Sequence, residues 1–171
     1  ELQGLRDELR DVRGQVTGNE KRAATLAQEL EKARADADPR VSALSKKMEG
    51  KELAEIGEMI AAGAVAISDD GKPVMDGSLM RRALEYARIF DIPVLVHEQD
   101  ENLAAGGQIH EGEISTLLGL AGMPAAAEEA MIARDLLLAE DVKGRLHIQH
   151  ISTGRGLTLV RLARRRRVHV T

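Results

Sequence analysis

The sequence predicts an α/β protein: a partial (β/α)8 TIM-type barrel of about four βα units, preceded by an α-helical coiled-coil segment. Apolar residues recur every three or four positions over residues 1–40, whereas buried strands alternate with amphipathic helices over residues 41–171. A complete eight-stranded barrel needs about 250 residues, so a chain of 171 residues can hold only part of one. We therefore predict two domains, a coiled-coil helix at 1–40 and a partial barrel at 41–171.

The first segment has the heptad pattern of a coiled coil. With Leu2 as an a position, glutamates fall at g and arginines at e, as in a parallel dimer. We expect a homodimer through residues 1–38, and Asp38-Pro39 ends the helix because proline disfavours helical geometry in the residue before it. A single solvated helix packed on a neighbour is the alternative. The apolar positions are Leu2, Leu5, Leu9, Val12, Val16, Ala23, Leu26, Leu30, Ala33 and Ala37.

In the second segment we predict a parallel sheet covered by helices. Short apolar runs such as AVAIS (64–68) and IPVLVH (92–97) are typical of strands buried on both faces. Strands that alternate with helices imply right-handed crossovers and a parallel sheet. In chain order, the predicted elements are a helix at 51–62, a strand at 64–68, a helix at 79–90 capped by Ser78, a strand at 92–97, a long loop up to Gly122, a helix from Pro124 to about Val142, a strand at 146–151, a helix at 158–166 and the start of a strand at 168–171.

Three side chains that can bind metals follow or end these strands. Asp70 follows AVAIS, His97 ends IPVLVH, and His150 follows LHIQ. Function collects at the carboxyl ends of strands in parallel α/β folds, and two imidazoles with one carboxylate suit zinc. Taken singly, Asp70 could be an ordinary turn residue and each histidine an ordinary strand-end residue. Three such residues at equivalent ends of successive strands favour a metal site, where the ion would lower the pKa of a bound water toward about 7.

The remaining polar clusters have simpler interpretations. His147 has the opposite parity to His150, so we expect it to face the helices. His110 lies in the long loop, either as a lid or substrate-side residue or as a solvated histidine, and His169 has no partner that the sequence identifies. The basic run 164–167 closes a helix, where cations complement the helix dipole.

Composition excludes several classes of function. Aromatic content of 1% and a net charge of −4 argue against nucleic-acid binding. No apolar run approaches the 18 or so residues of a membrane span, so we expect no membrane partner. The chain contains no Cys, which excludes disulfides and thiolate metal sites and fits a cytoplasmic location.

The same residues carry a family resemblance. Residues from about 43 to 171 resemble the middle of a bacterial dihydroorotase of the long, two-zinc type, within the amidohydrolase superfamily. The run SDDGKPVMD, followed by two strand-end histidines, is its most specific part. The matching stretches are GKELAEIGEM (50–59), AISDDGKPVMDGSLMRRALEYAR (66–88), PVLVHEQDENLAAGG (93–107), HEGEISTLLGLAGMPAAAEEAMIARDLLLAE (110–140) and RLHIQHISTGRGLTLVRLA (145–163).

The resemblance implies an activity and a set of metal ligands. Such enzymes are zinc-dependent barrels that interconvert dihydroorotate and N-carbamoyl-aspartate, small molecules of pyrimidine biosynthesis. On the family pattern, Asp70 bridges two zinc ions, while His97 and His150 hold the second of them. These are the same three residues that lie at the predicted strand ends.

The chain departs from the family pattern at several places. The family's first strand carries a His-x-His pair, but no histidine precedes His97 here, and the catalytic Asp of the last barrel strand would lie beyond Thr171. Glu98-Gln99 stands where a small residue and Glu are usual, and Arg167 where a helix-ending Gly is usual. We therefore expect the isolated chain to be inactive. The alternative is a non-catalytic coiled-coil scaffold or regulatory protein carrying a dead half-barrel.

Overall fold

The structure, a computed structural model, describes Lys21, residues 41–46 and residues 49–171. The chain divides into two units, Glu1–Asp38 and Pro39–Thr171, and every described residue except Lys21 lies in the second. The coiled coil predicted for residues 1–40 and the homodimer predicted through residues 1–38 therefore lie outside the described residues, Lys21 excepted. Both stay predictions.

Strands and helices alternate along most of the described chain, as predicted. The strands are β1 (Val41–Ala43), β2 (Ala66–Ser68), β3 (Pro93–Val96), β4 (Ile109–His110), β5 (Gly122–Met123) and β6 (Arg145–Ile148). The helices are α1 (Ile56–Ala61), α2 (Gly77–Ile89), α3 (Glu113–Leu118), α4 (Ala126–Val142) and α5 (Gly154–Arg165). None of the described helices has the length and apolar character that crossing a membrane requires.

The main sheet is parallel, with its strands in the order β1-β2-β3-β6. Val94 of β3 lies beside Ile67 on one side and Leu146 on the other. After α5 the chain returns to the far edge of β6, where Val170 bridges Leu146 in parallel. The predicted parallel α/β architecture is thus confirmed, whereas the strand predicted to start at 168–171 is represented by this single bridge. The strand β1 was not predicted, because the three residues Val-Ser-Ala are too few to show a hydrophobic period.

The core lies between one face of this sheet and the helices. Alternate residues of β3 and β6 point into it, because side chains alternate between the faces of a strand; these residues are Val94, Val96, Leu146 and Ile148. Helix α2 contacts both β3 and β6, and α4 contacts β6 and packs against α2 and α5. The helices bury Met80, Leu84, Ala87, Ile132, Leu136, Ala139 and Val160 against these strands.

His147 lies on the other face of the sheet, so its predicted orientation toward the helices was wrong. Its neighbours in sequence, Leu146 and Ile148, occupy the helix-covered core. The imidazole Nδ1 of His147 lies 2.8 Å from the hydroxyl Oγ1 of Thr171. Its strand ends at Ile148, so the alternation of faces does not continue to His150.

The helix predicted at 51–62 begins later than expected, at Ile56. Residues before it double back along the chain after β1: Leu53 forms an antiparallel bridge with Ser45, and the amide of Ala54 donates to the carbonyl of Leu44 at 3.0 Å. These contacts hold Leu53 in a β-bridge, so the helix begins only after it. The end of the helix is as predicted, with Gly63 at a positive φ of 106°.

Two further expectations about the chain between β2 and α4 need correction. The predicted long loop up to Gly122 contains strand β4 and helix α3, and β4 pairs in parallel with β5, which begins at Gly122. Helix α2 begins at Gly77, and its N-cap is Asp76, whose Oδ1 accepts hydrogen bonds from the amides of Ser78 and Leu79. Ser78 therefore donates a backbone hydrogen bond to the cap and is not the cap itself.

Arg167 carries a conformational cost that a substitution can remove. Its φ is +66°, in the left-handed region that costs an L-residue roughly 1–2 kcal/mol and glycine nothing. We expect Arg167→Gly to raise the free energy of unfolding by about 1 kcal/mol in urea denaturation. The control Arg161→Gly lies at an exposed position inside α5 and should lower it by about 1 kcal/mol. A loss of stability in Arg167→Gly would contradict this account.

Candidate metal centre

Asp70, His97 and His150 lie together at one edge of the main sheet. Asp70 comes two residues after β2, His97 directly follows β3, and His150 comes two residues after β6. Since β2, β3 and β6 are parallel neighbours, their carboxyl ends meet at the same edge. The structure thus brings together the three residues that the sequence placed at strand ends.

The three side chains converge on a common point. Oδ1 of Asp70 lies 3.6 Å from Nδ1 of His97 and 3.6 Å from Nε2 of His150, and the two ring nitrogens are 3.1 Å apart. Ligand atoms held tetrahedrally at 2.0–2.1 Å from a zinc ion lie roughly 3.3–3.4 Å from one another. The spacing and the chemistry of this donor set therefore fit a divalent ion such as zinc.

The electrostatics of the site favour the form of His97 that binds a metal. Its side chain is half-buried, whereas Asp70 and His150 are exposed. Burial and then the neighbouring His150 lower the pKa of His97, and the Asp70 carboxylate opposes this shift without cancelling it. At neutral pH the imidazole is therefore uncharged, and an uncharged imidazole has a lone pair free for an ion.

Asp69 holds the two ligand-bearing segments in place. Its Oδ1 accepts the backbone N–H of His97 at 2.8 Å, and its Oδ2 accepts that of Val74 at 2.9 Å. Burial raises the pKa of Asp69, although these hydrogen bonds work against the shift. Asp69 was not predicted as a site residue from the sequence; the signal that could have revealed it is that two aspartates, Asp69 and Asp70, follow β2 in succession.

His150 takes an unusual backbone conformation. Its φ is +37°, close to a left-handed region that is uncommon outside glycine but in which histidine is enriched. The amide of Gln149 still donates to the carbonyl of Val96 at 3.1 Å, one residue beyond β6. The chain turns at His150, and its imidazole comes to lie against His97 with the ring centres 4.8 Å apart.

Three ionisable residues, Arg134, Asp135 and Glu98, lie near one another beside the site. Arg134 donates to both carboxylate oxygens of Asp135, at 2.6 and 2.9 Å, and to the carbonyl of Met75 at 3.1 Å. Glu98 is only 5% exposed, and neither of its oxygens has a hydrogen-bond partner among the described residues. Burial, and then the charge of Asp135, raise the pKa of Glu98 to about 9. Glu98 therefore holds a proton at neutral pH, a property that its position after His97 did not reveal.

The other histidines are distributed differently. His110 of β4 is exposed and lines a cavity of about 280 Å³ together with His97 and His150. His147 and His169 line a separate cavity of about 570 Å³. Of the five histidines, the structure thus places two in the candidate metal centre and one beside it. A substrate-side role for His110 stays a prediction.

Comparison with known proteins identifies close sequence relatives. The family model described as "Dihydro-orotase-like" matches residues 18–155, which begin inside the segment predicted as a coiled coil. The dihydroorotase of Pelotomaculum thermopropionicum is 54% identical over 131 residues, covering 77% of this chain and 31% of the relative. That of Syntrophobacter fumaroxidans is 51% identical over 152 residues, covering 87% of this chain and 35% of the relative. The chain therefore spans about a third of the length of these relatives.

Solved structures show where the fold recurs. The L-hydantoinase (dihydropyrimidinase) from Arthrobacter aurescens superimposes with a TM-score of 0.54 at 23% identity, over 68% of this chain and 28% of that one. A D-hydantoinase from a Bacillus species gives a TM-score of 0.55 at 14% identity, over 71% of this chain and 29% of that one. At these identities the likeness concerns the fold alone.

Proposed function

The chain belongs to the dihydroorotase-like family, and from this premise we propose that it contributes part of the metal centre of an enzyme that hydrolyses a cyclic amide. The observation that carries the proposal is the convergence of Asp70, His97 and His150, whose donor atoms all lie within 4.8 Å of one another. The reaction we propose is the interconversion of dihydroorotate and N-carbamoyl-aspartate, so the substrate is a small molecule.

The three side chains have distinct roles in this proposal. His97 and His150 would hold a zinc ion, and the Asp70 carboxylate would bridge it to a second one. Zinc bound there supplies Lewis acidity and a nucleophile derived from water at neutral pH. The chain's own contribution is to hold two imidazoles and a carboxylate at one point and to lower the pKa of His97, so that this ring is uncharged at neutral pH. Burial of His97 and its distance of 3.6 Å from Asp70 support that assignment.

We also propose that the sheet is part of a (β/α)8 barrel. Parallel strands with helices on one face support this architecture, and so does the parallel bridge of Val170 to Leu146 at the far edge of β6. On the face opposite the helices, Leu95 and His147 are half-buried and line the 570 Å³ cavity. In a closed barrel this face would point inward. The homodimer through residues 1–38, the cytoplasmic location and the inactivity of the isolated chain stay predictions.

Metal content tests the site directly. After equilibration with zinc and removal of unbound metal, we expect the wild-type chain to retain about one ion, because three protein ligands suffice to hold it. Asp70→Ala and His150→Ala should retain less than about 0.1 ion per chain. The matched control His147→Ala removes a histidine outside the group and should bind as the wild type does. Equal zinc content in all four proteins, or none in the wild type, would overturn the proposal.

A further inference from the structure

We propose that Glu128 is a positioning residue, which fixes the loop carrying His150 and thereby the geometry of the metal centre. The inference rests on the proposed function only in that His150 is taken as a metal ligand. Glu128 lies in the first turn of α4, 22 positions from His150 in the chain. It acts on the loop that follows β6 and does not itself belong to the ligand group.

The carboxylate of Glu128 accepts three hydrogen bonds from residues just after His150. Its Oε1 accepts from the backbone N–H of Ser152 at 2.7 Å and from the Ser152 hydroxyl at 2.8 Å. Its Oε2 accepts from the backbone N–H of Thr153 at 2.8 Å. Hydrogen bonds from backbone amides to an ionised carboxylate are short and about twice as strong as neutral ones. Both oxygens are therefore used to hold consecutive peptide units of one loop.

This loop needs an external support. Residues 149–153 form neither helix nor strand, and His150 is held at φ +37°, a conformation that persists only when its surroundings enforce it. Helix α4, which carries Glu128, can provide this support because the helix is anchored in the core by its buried residues Ile132 and Leu136. Glu128 thus transfers the rigidity of a core helix to the loop that carries the exposed ligand.

The packing around this contact is tight. A Cβ atom added at Gly156 would lie 2.7 Å from Ile132 Cδ1, 2.7 Å from Thr153 Oγ1 and 3.3 Å from Glu128 Oε2. The start of α5 therefore sits directly against α4, and Thr153 caps α5 by accepting the amide of Gly156 at 3.1 Å. Because the loop is confined on this side, loss of the Glu128 bonds would release it toward the solvent side, where His150 lies.

The ionised state of Glu128 agrees with this role. Burial raises the pKa of Glu128, but the hydrogen bonds from Thr153 and Ser152 outweigh it, so the pKa lies below its usual value. The carboxylate is therefore charged at neutral pH. In Glu128→Gln one oxygen becomes an NH2 group that cannot accept a hydrogen bond. The NH2 group of glutamine would then lie opposite a backbone N–H group of the loop, and two donors cannot form a hydrogen bond. The size of the side chain would stay the same.

The adjacent residue provides a matched control. Glu129 is also a carboxylate in the first turn of α4, and its Oε2 lies 3.1 Å from the guanidinium of Arg155. It contacts a side chain of α5, whereas Glu128 holds the backbone after His150. Glu129→Gln therefore removes the same charge from the same turn without touching the loop. Glu128→Asp keeps the charge but shortens the reach by one methylene.

The test uses the full chain with cobalt(II), whose visible absorption reports ligand geometry. We expect Glu128→Gln to weaken cobalt binding, measured by competition with a chelator, by about 10-fold or more, and to change the absorption bands. Glu129→Gln should match the wild type in both, and Glu128→Asp should recover part of the affinity. Unfolding temperatures measured alongside separate this effect from lost stability. Identical affinity and spectra in Glu128→Gln and the wild type would overturn the inference.

A second measurement on the metal-free protein does not depend on the ion. Hydrogen exchange followed by NMR should show the amides of Ser152 and Thr153 exchanging about 10-fold faster or more in Glu128→Gln, with the His150 ring signals shifted. Glu129→Gln should leave both unchanged. If the wild type binds no cobalt, the proposed function fails, and this measurement alone decides the role of Glu128. Unchanged exchange of both amides would overturn that role.

Discussion

A chimera in which residues 41–171 of this chain replace the matching segment of the Pelotomaculum thermopropionicum dihydroorotase is expected to hydrolyse dihydroorotate. Asp70→Asn in this chimera should lower kcat/KM by at least about 10³-fold. The reason is that a metal ion acting on a carbonyl supplies several kcal/mol of transition-state stabilisation, and about 4 kcal/mol corresponds to about 10³-fold in rate. An identity of 54% over 131 residues makes the exchange a conservative one.

The matched control for this substitution is Asp141→Asn. Asp141 is an exposed carboxylate of α4 whose Oδ2 lies 3.1 Å from the guanidinium of Arg81, on the outer side of the helix layer. Its loss should leave kcat/KM within about 2-fold, because exposed ion pairs contribute little. An Asp70→Asn chimera as active as the Asp141→Asn chimera would show that Asp70 has no part in the reaction. Steady-state rates of ring opening, measured by absorbance, supply the comparison.

Glu98→Gln is expected to stabilise the metal-free chain, and by more at higher pH. The folded pKa of Glu98 is about 9 against an ordinary value of 4.5, so folding must keep a proton that the unfolded chain releases. The folded state therefore loses stability as pH rises from about 4.5 to 9, by up to about 1.4 kcal/mol per pH unit. Glutamine has nearly the same shape and cannot ionise. The difference in unfolding free energy should reach about 2–4 kcal/mol by pH 8.

Urea denaturation at pH 5 and pH 8, with a chelator present, measures this difference. At pH 5 the difference should stay below about 1 kcal/mol, because this pH is only half a unit above the ordinary pKa of 4.5 at which the unfolded chain releases the proton. Glu101→Gln, an exposed residue of the following loop, serves as the control and should show no such pH dependence. A Glu98→Gln variant less stable than the wild type at pH 8 would mean that the ionised carboxylate has a partner in the folded protein.

The parts of the fold that sequence predicts well are those with a repeated pattern. Helix α4 and strands β3 and β6 were predicted within a few residues, since each combines a continuous apolar stretch with clear turn residues at its ends. The strand β1 and the helix α3 were missed. Three residues carry no period, and α3 leaves Leu117 78% exposed, so it lacks the buried stripe by which helices are recognised.

The site was predicted to a similar degree. Asp70, His97 and His150 could be selected because strand ends of a parallel sheet meet at one edge, a consequence of topology that the order of elements already implies. The residues that support this site could not be selected from the sequence. In the sequence they are ordinary acidic residues: Asp69, Glu98 and Glu128. The carboxylates of Asp69 and Glu128 are distinguished by the backbone amides that donate to them. Glu98 is distinguished by having no hydrogen-bond donor among the described residues.

The amino-acid sequence by itself determined the parallel α/β architecture, the order of its main elements and the identity of the three converging side chains. Hydrophobic periodicity and turn residues are local properties, because they depend only on residues that are close to one another in the chain. The tertiary structure alone decided that His147 faces away from the helices, that Glu98 is buried with no hydrogen-bond partner in the part of the chain that the structure describes, and that Glu128 reaches the loop after His150. Each of these depends on burial and hydrogen bonding between distant segments, which no local pattern encodes.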